Sequence, residues 1–323
     1  MKLKEIKNFI EDYYNISVMN IRLLDSHFGT DIYKVDADKS GYIVKAMPPG
    51  MVLFEKEGLI TEYLSENGVK TARLVKNNRE EYVSKAFDVQ LTVQEFIKGY
   101  AFAVNTAPDW LMNKSAEMLG KINAVLSSFP DFSVRFGKEF FSKETAARKK
   151  LHLEHGLIEA EEELRPFYTE QIRYFERILK FEIDTNRLTY ANSHGDYHIG
   201  QLIVSNKDVT VIDWASACRL PVCLEVATSY VFASPLCCDG NIDEDDLATY
   251  ISTYTRYFPL SEYDIKMMPY VLYFWHSMCN YSPDELLNIP ESYISIASLI
   301  QKMLTWLYDN ADKLSKAVYK KVK

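Results

Sequence analysis

An α+β chain in two lobes is the fold this sequence predicts: a small N-terminal antiparallel-sheet lobe with one main helix, then a large, mostly helical C-terminal lobe. Three observations predict it. At 323 residues the chain exceeds the roughly 250–300 at which one hydrophobic core stops growing. Residues 1–97 mix strand-like alternation with turn residues, whereas residues 98–323 are dominated by helical periodicity. Glycine (12) and proline (11) are scarce, together well below the roughly 12% of an average chain, which favours long helices and closely joined lobes over a flexible linker.

Residues 1 to about 20 read as a short amphipathic helix, and the stretch from Ile21 to Met47 alternates apolar runs with turns, as an antiparallel sheet would. Helical periodicity from Leu53 stops at Asn67-Gly68, a helix-ending pair. Two further strands follow in YVSKAF and LTVQEFI. From Trp110 the pattern is helical; a charged run over 139–183, interrupted by Pro166, predicts two helices in a hairpin. A β interruption, NSHGDYHIGQLIVSNKDVTVIDW, precedes helices that continue to the end.

Composition removes several function classes. The net charge is −8 and no polybasic block occurs before the terminal KKVK, so a nucleic-acid backbone has little to bind. No apolar run approaches the roughly 18 residues that span a bilayer, and acids break any signal-like run at the start, which predicts a cytoplasmic protein. Five cysteines form no CxxC pair and read as reduced packing residues. Cys237, Cys238, His276 and Cys279 match no standard zinc-ligand spacing.

Two charges sit where apolar residues belong. In GYIVKAM the alternation puts Lys45 on one strand face with Ile43 and Met47. In the next helix Glu57 fills an i+4 slot in the stripe of Leu53, Ile60 and Leu64. A buried ammonium needs an anionic partner, and a strand lysine held by a helix glutamate is the arrangement by which kinases steer a lysine onto nucleotide phosphates. HGDYHIGQ then sets Gln201 five residues after Asp196, the spacing of a kinase catalytic loop between its base and a magnesium ligand. VTVID places Asp213 beyond a tight turn at Ser205 to Asp208, so that a hairpin would bring Gln201 and Asp213 side by side. Such hard oxygen ligands suit a divalent cation that offsets the charge of a transferring phosphoryl group.

HGDYHIGQLIV and VIDWASA resemble the catalytic and metal-binding motifs of the aminoglycoside phosphotransferase-like superfamily, which includes choline/ethanolamine, homoserine-type, methylthioribose and maltose kinases. The likeness runs from about Leu23 to Tyr230. It implies a protein-kinase-like fold with ATP, or GTP, and Mg2+ in a cleft between the lobes. It also implies Lys45 on the phosphates with Glu57 holding it, Asp196 as base, and Gln201 and Asp213 on magnesium. VQEFIKG would be the hinge, near 94–99, with the backbone of Glu95 and Ile97 meeting adenine. Ser26 and Gly29, in SHFGTDIY, would cover the phosphates. The implied partner is a small-molecule hydroxyl acceptor of aminoglycoside, amino-alcohol or sugar type.

This chain departs from the pattern at three places. Gln201 stands where the family usually has asparagine, the phosphate loop has one glycine, and Trp214 replaces the phenylalanine of the protein-kinase D-F-G with no A-P-E segment after it. A nucleotide-binding scaffold and a protein-substrate kinase are the alternative readings. His194 and His198 read as structural rather than as acid-base catalysts, and Glu225 as a brace for a helix start rather than a substrate contact. Asp239, Asp243, Glu244, Asp245 and Asp246 either complement a helix dipole or attract a cationic acceptor; Tyr273, Trp275, His276 and Tyr281 either pack in the core or line an acceptor pocket.

Overall fold

The computed structural model describes residues 3–27, 29–38, 40–48, 54–86, 88–280, 282–286 and 291–323. The chain divides into two compact units, Met1–Ala101 with Gln201–Ala217, and Phe102–Gly200 with Cys218–Lys323. The predicted α+β class holds, with an antiparallel sheet first and helices after it.

The first unit opens with α1 (Leu3–Tyr14), whose Ile6, Phe9, Ile10 and Tyr14 share one buried face. There follow β1 (Val18–His27), β2 (Thr30–Ala37), β3 (Gly41–Met47), α2 (Phe54–Glu66), β4 (Leu74–Val75), β5 (Ser84–Ala86) and β6 (Val89–Glu95). The sheet runs β1-β2-β3-β6-β4, with β5 also on β6, and every pairing is antiparallel. The apolar face of α1 packs on Val35, Val44, Leu91 and Val93 of the sheet. In α2, Glu57, Ile60 and Leu64 are all buried, as the helical stripe requires; Leu53 lies outside the described residues.

The second unit begins with α3 (Asp109–Leu126), α4 (Lys143–Glu159) and α5 (Arg165–Ile178). The last two pack on each other, and Pro166 sits in the first turn of α5, where its missing N–H costs nothing. After β7 (Tyr190–Ser193), the hairpin β8 (Leu202–Ser205) and β9 (Asp208–Val211) belongs to the first unit. The chain resumes the second unit with β10 (Cys218–Pro221), antiparallel to β7, then α6 (Val222–Ala233), α7 (Glu244–Thr255), α8 (Glu262–Cys279), α9 (Pro283–Leu286) and α10 (Glu291–Val322). Asp243 caps α7, and Glu244, Asp245 and Asp246 occupy its first turn, which satisfies the helix-dipole reading of that acidic segment.

Backbone bonds explain why the hairpin groups with the sheet. Its tip, Asn206-Lys207, has φ of 49° and 66°, the pair of left-handed residues that a two-residue hairpin turn demands. On one side Val211 N–H donates to the Lys70 carbonyl at 3.0 Å, and Ala72 N–H donates to the Val211 carbonyl at 3.2 Å. On the other side Tyr100 and Val204 exchange N–H to carbonyl bonds at 3.1 and 2.8 Å. Gly99 permits that approach, because a Cβ there would lie 2.4 Å from the Val204 carbonyl oxygen.

Candidate active site

Three of the expected residues meet in the first unit. Lys45, opposite Thr92 on β6 and Ile32 on β2, is 8% exposed, and its Nζ donates to Asp213 Oδ1 at 2.6 Å. Glu57 Oε1 lies 3.8 Å from the same Nζ, an ion pair rather than a hydrogen bond. Burial alone would push the lysine down, yet the carboxylates of Glu57 and Asp213 outweigh it and hold the ammonium above its ordinary value. Burial also raises the Glu57 carboxyl, and Lys45 offsets that only in part.

Asp213 follows β9 with φ 64° and ψ 65°, a left-handed conformation that aspartate tolerates better than most residues but that still stores strain. The next residue anchors it: Trp214 is 1% exposed, and its Nε1–H donates to Thr71 Oγ1 at 2.7 Å, while that hydroxyl donates to the Val211 carbonyl at 3.0 Å. Ile212 N–H donates to the Gln201 carbonyl at 3.0 Å, so the hairpin base sets Gln201 across from the residue before Asp213. Among the described residues no group of three or more His, Cys, Asp or Glu could hold a metal ion. An amide and a carboxylate suit Mg2+, which keeps several waters and takes substrate phosphates rather than a complete protein cage.

The expected phosphate loop is the β1–β2 turn. Ser26 Oγ donates to Asp31 Oδ1 at 2.6 Å, and Tyr33 OH donates to Asp31 Oδ2 at 3.0 Å. The Ser26 hydroxyl, foremost, holds the Asp31 carboxyl below its ordinary value. Gly29 has φ 75°, which explains a glycine there; Phe28 lies outside the described residues. Glu95 ends β6 with its carboxylate on Arg73 Nη2 at 2.7 Å, and Ile97 lies two residues beyond the strand.

Asp196 belongs to the second unit. Its carboxylate is 54% exposed, with Oδ2 3.8 Å from His198 Nε2, and His198 Nδ1 accepts from Gly200 N–H at 3.1 Å. His194 is fully buried, its ring 5.9 Å from that of Tyr197. Beneath this loop is Glu225, which sits in the first turn of α6 as expected. Its carboxylate also accepts from the Ser193 hydroxyl and from the backbone N–H groups of Gly195 at 2.6 Å and Tyr197 at 3.4 Å. Burial pushes its carboxyl up to about 7 despite those donors. A lone acid inside the apolar run VCLEVATSYVFA was the available signal. Tyr273 is core, 1% exposed, with its hydroxyl on the Tyr174 carbonyl at 3.2 Å. Tyr281 lies outside the described residues.

A family model described as the phosphotransferase enzyme family matches residues 20–259, the span that holds every motif above. The chain belongs to the phosphotransferase enzyme family. Solved structures similar to this phosphotransferase include amicoumacin kinase in complex with AMP-PNP, Ca2+ and amicoumacin, at 13% identity, 97% of this chain, 94% of that one and TM-score 0.66. Spectinomycin phosphotransferase with ADP and spectinomycin matches at 12% identity, 99% and 98% coverage and TM-score 0.66. Choline kinase from Cryptosporidium parvum matches at 13%, 98% and 96%, with TM-score 0.56. At these identities the likeness establishes the fold. No curated protein sequence matches the chain. Family membership makes this phosphotransferase an enzyme of the small-molecule kinase type.

Proposed function

We propose that this phosphotransferase moves the γ-phosphoryl group of ATP, with Mg2+, to a hydroxyl of a small molecule. The observation that carries the reading is the meeting of Lys45, Glu57 and Asp213, whose contact of 2.6 Å joins a buried ammonium to the carboxylate at the hairpin base. In this reading Lys45, kept charged by its two acids, holds nucleotide phosphate oxygens. Gln201 and Asp213 hold the cation, which when bound neutralises charge on the transferring group. Asp196 accepts the proton of the acceptor hydroxyl and orients its oxygen. Glu225, gripping the N–H groups on either side of Asp196, keeps that carboxylate in place. Ser26 and Gly29 cover the phosphates, and the backbone at Glu95 and Ile97 receives the base. All five cysteines are free thiols, which fits a cytoplasmic setting.

The test is ADP release by purified protein given ATP, Mg2+ and a panel of aminoglycosides, amino alcohols and sugars. Release with at least one acceptor, abolished by EDTA, is the expected result. ATP binding that needs no metal, with no transfer to any acceptor, would point to a nucleotide-binding scaffold instead. GTP in place of ATP settles nucleotide preference in the same assay.

A further inference from the structure

Two buried nitrogen atoms on α8 lack partners. His276 is 2% exposed, and its Nε2 has no hydrogen-bond partner among the described residues; the same is true of the buried Nε1–H of its neighbour Trp275. Buried donors and acceptors are nearly always paired, so two adjacent exceptions need a cause. Their surroundings are aromatic. The two rings touch at 4.5 Å, Trp275 meets Phe136 at 5.7 Å, and His276 meets Phe232 of α6 at 6.2 Å. Phe232 in turn lies 6.1 Å from His198, whose Nε2 is 3.8 Å from Asp196 Oδ2. Phe232 and Trp275 are half-buried, whereas His276 is buried.

We propose that Phe232, Trp275 and His276 form the acceptor subsite beside Asp196, and that it takes an uncharged, hydroxyl-bearing ring such as a sugar or cyclitol. This rests on the phosphotransferase reading. The C–H face of such a ring lies on the two half-buried aromatics, and its hydroxyls meet the unpartnered nitrogens once the indole of Trp275 turns toward them. An O–H accepts from Nε1–H of Trp275 and donates to Nε2 of His276, or accepts there in the other tautomer. Burial pushes the imidazole down to about 3, and no neighbouring charge contributes, so His276 stays neutral and draws no anion. A trimethylammonium head could stack on the rings but has no hydrogen-bonding atom to satisfy either nitrogen.

The test is a titration of 15N-labelled protein with maltose, myo-inositol, choline and spectinomycin in turn, following the indole N–H signals. Trp275→Phe identifies the Trp275 signal by its loss and keeps the ring. The expected result is a shift of that signal with maltose or myo-inositol and none with choline. No shift with any probe, or a shift with choline or spectinomycin alone, overturns the proposal. ADP release in parallel samples reports on the phosphotransferase reading by itself. A Trp275 shift without any turnover would count against the reading and leave the subsite standing. Turnover of an uncharged ring should show an acceptor KM raised about tenfold in Trp275→Phe and in His276→Phe, with the ATP KM unchanged. Equal acceptor KM values in wild type and both variants would remove the subsite and leave the enzyme.

Discussion

Nζ of Lys45 lies 2.6 Å from Oδ1 of Asp213, a residue 168 positions later in the chain. The contact links the centre of the sheet to the base of the β8–β9 hairpin, and with Glu57 it forms a triad of one ammonium and two carboxylates. Removing the cation strands the acids. Lys45→Met should cost about 3 kcal/mol of stability, because Glu57 is then buried without its partner. Lys45→Met with Glu57→Leu should recover more than half of that. Urea unfolding of the wild type and the two variants measures both. Transfer should fall by roughly 10²-fold or more in each variant, since a fixed charge on the phosphates is lost.

Asp196 is the residue assigned to the acceptor's proton. Asp196→Asn preserves shape and removes basicity, so kcat should drop about 10³-fold while the nucleotide KM changes little. Steady-state kinetics with ATP varied at a saturating acceptor decide it, and undiminished turnover would take the base role from Asp196.

Glu225 ties the loop around Asp196 to α6, and its folded-state carboxyl is raised by burial from 4.5 to about 7. The sign follows from linkage. A carboxyl raised in the folded state favours the protonated protein, so its contribution is fully present below about pH 4.5 and is lost as pH climbs through about 7. That loss amounts to about 3 kcal/mol. Melting curves between pH 5 and 9 should therefore fall more steeply for wild type than for Glu225→Gln, whose amide does not titrate. Parallel curves would exclude this carboxyl as the titrating group.

Thr71 donates to the Val211 carbonyl and accepts from Trp214. Thr71→Val leaves the indole N–H buried and unpaired, which should cost about 2 kcal/mol, whereas Thr71→Ser should cost less than about 1. A larger loss of denaturant midpoint in Thr71→Ser than in Thr71→Val would mean that the methyl group, and not the hydroxyl, holds the hairpin.

Much of this site was legible because its residues break local rules. Lys45 and Glu57 each interrupt an apolar periodicity, and the spacing from Asp196 to Gln201 to Asp213 crosses one short hairpin with a polar tip. Both are properties of contiguous sequence. Glu225 was visible as an odd residue, but beside the Ser193 hydroxyl its partners are backbone N–H groups 28 and 30 positions away, and every residue type except proline has one. Strand β4 is two residues long, too short for any period. The grouping of the hairpin with the sheet rests on carbonyls and amides of residues 70–72 and 100, which likewise carry no side-chain signature.

The indole of Trp214 has one more implication. In protein kinases the side chain after the metal-binding aspartate is the moving part, and its packing separates resting from working enzyme. Here that position is sealed, pinned by a hydroxyl that is pinned in turn. Swinging it out would sacrifice a large buried ring along with its bond, several kcal/mol by ordinary measures. A catalyst built this way carries no throttle at that point.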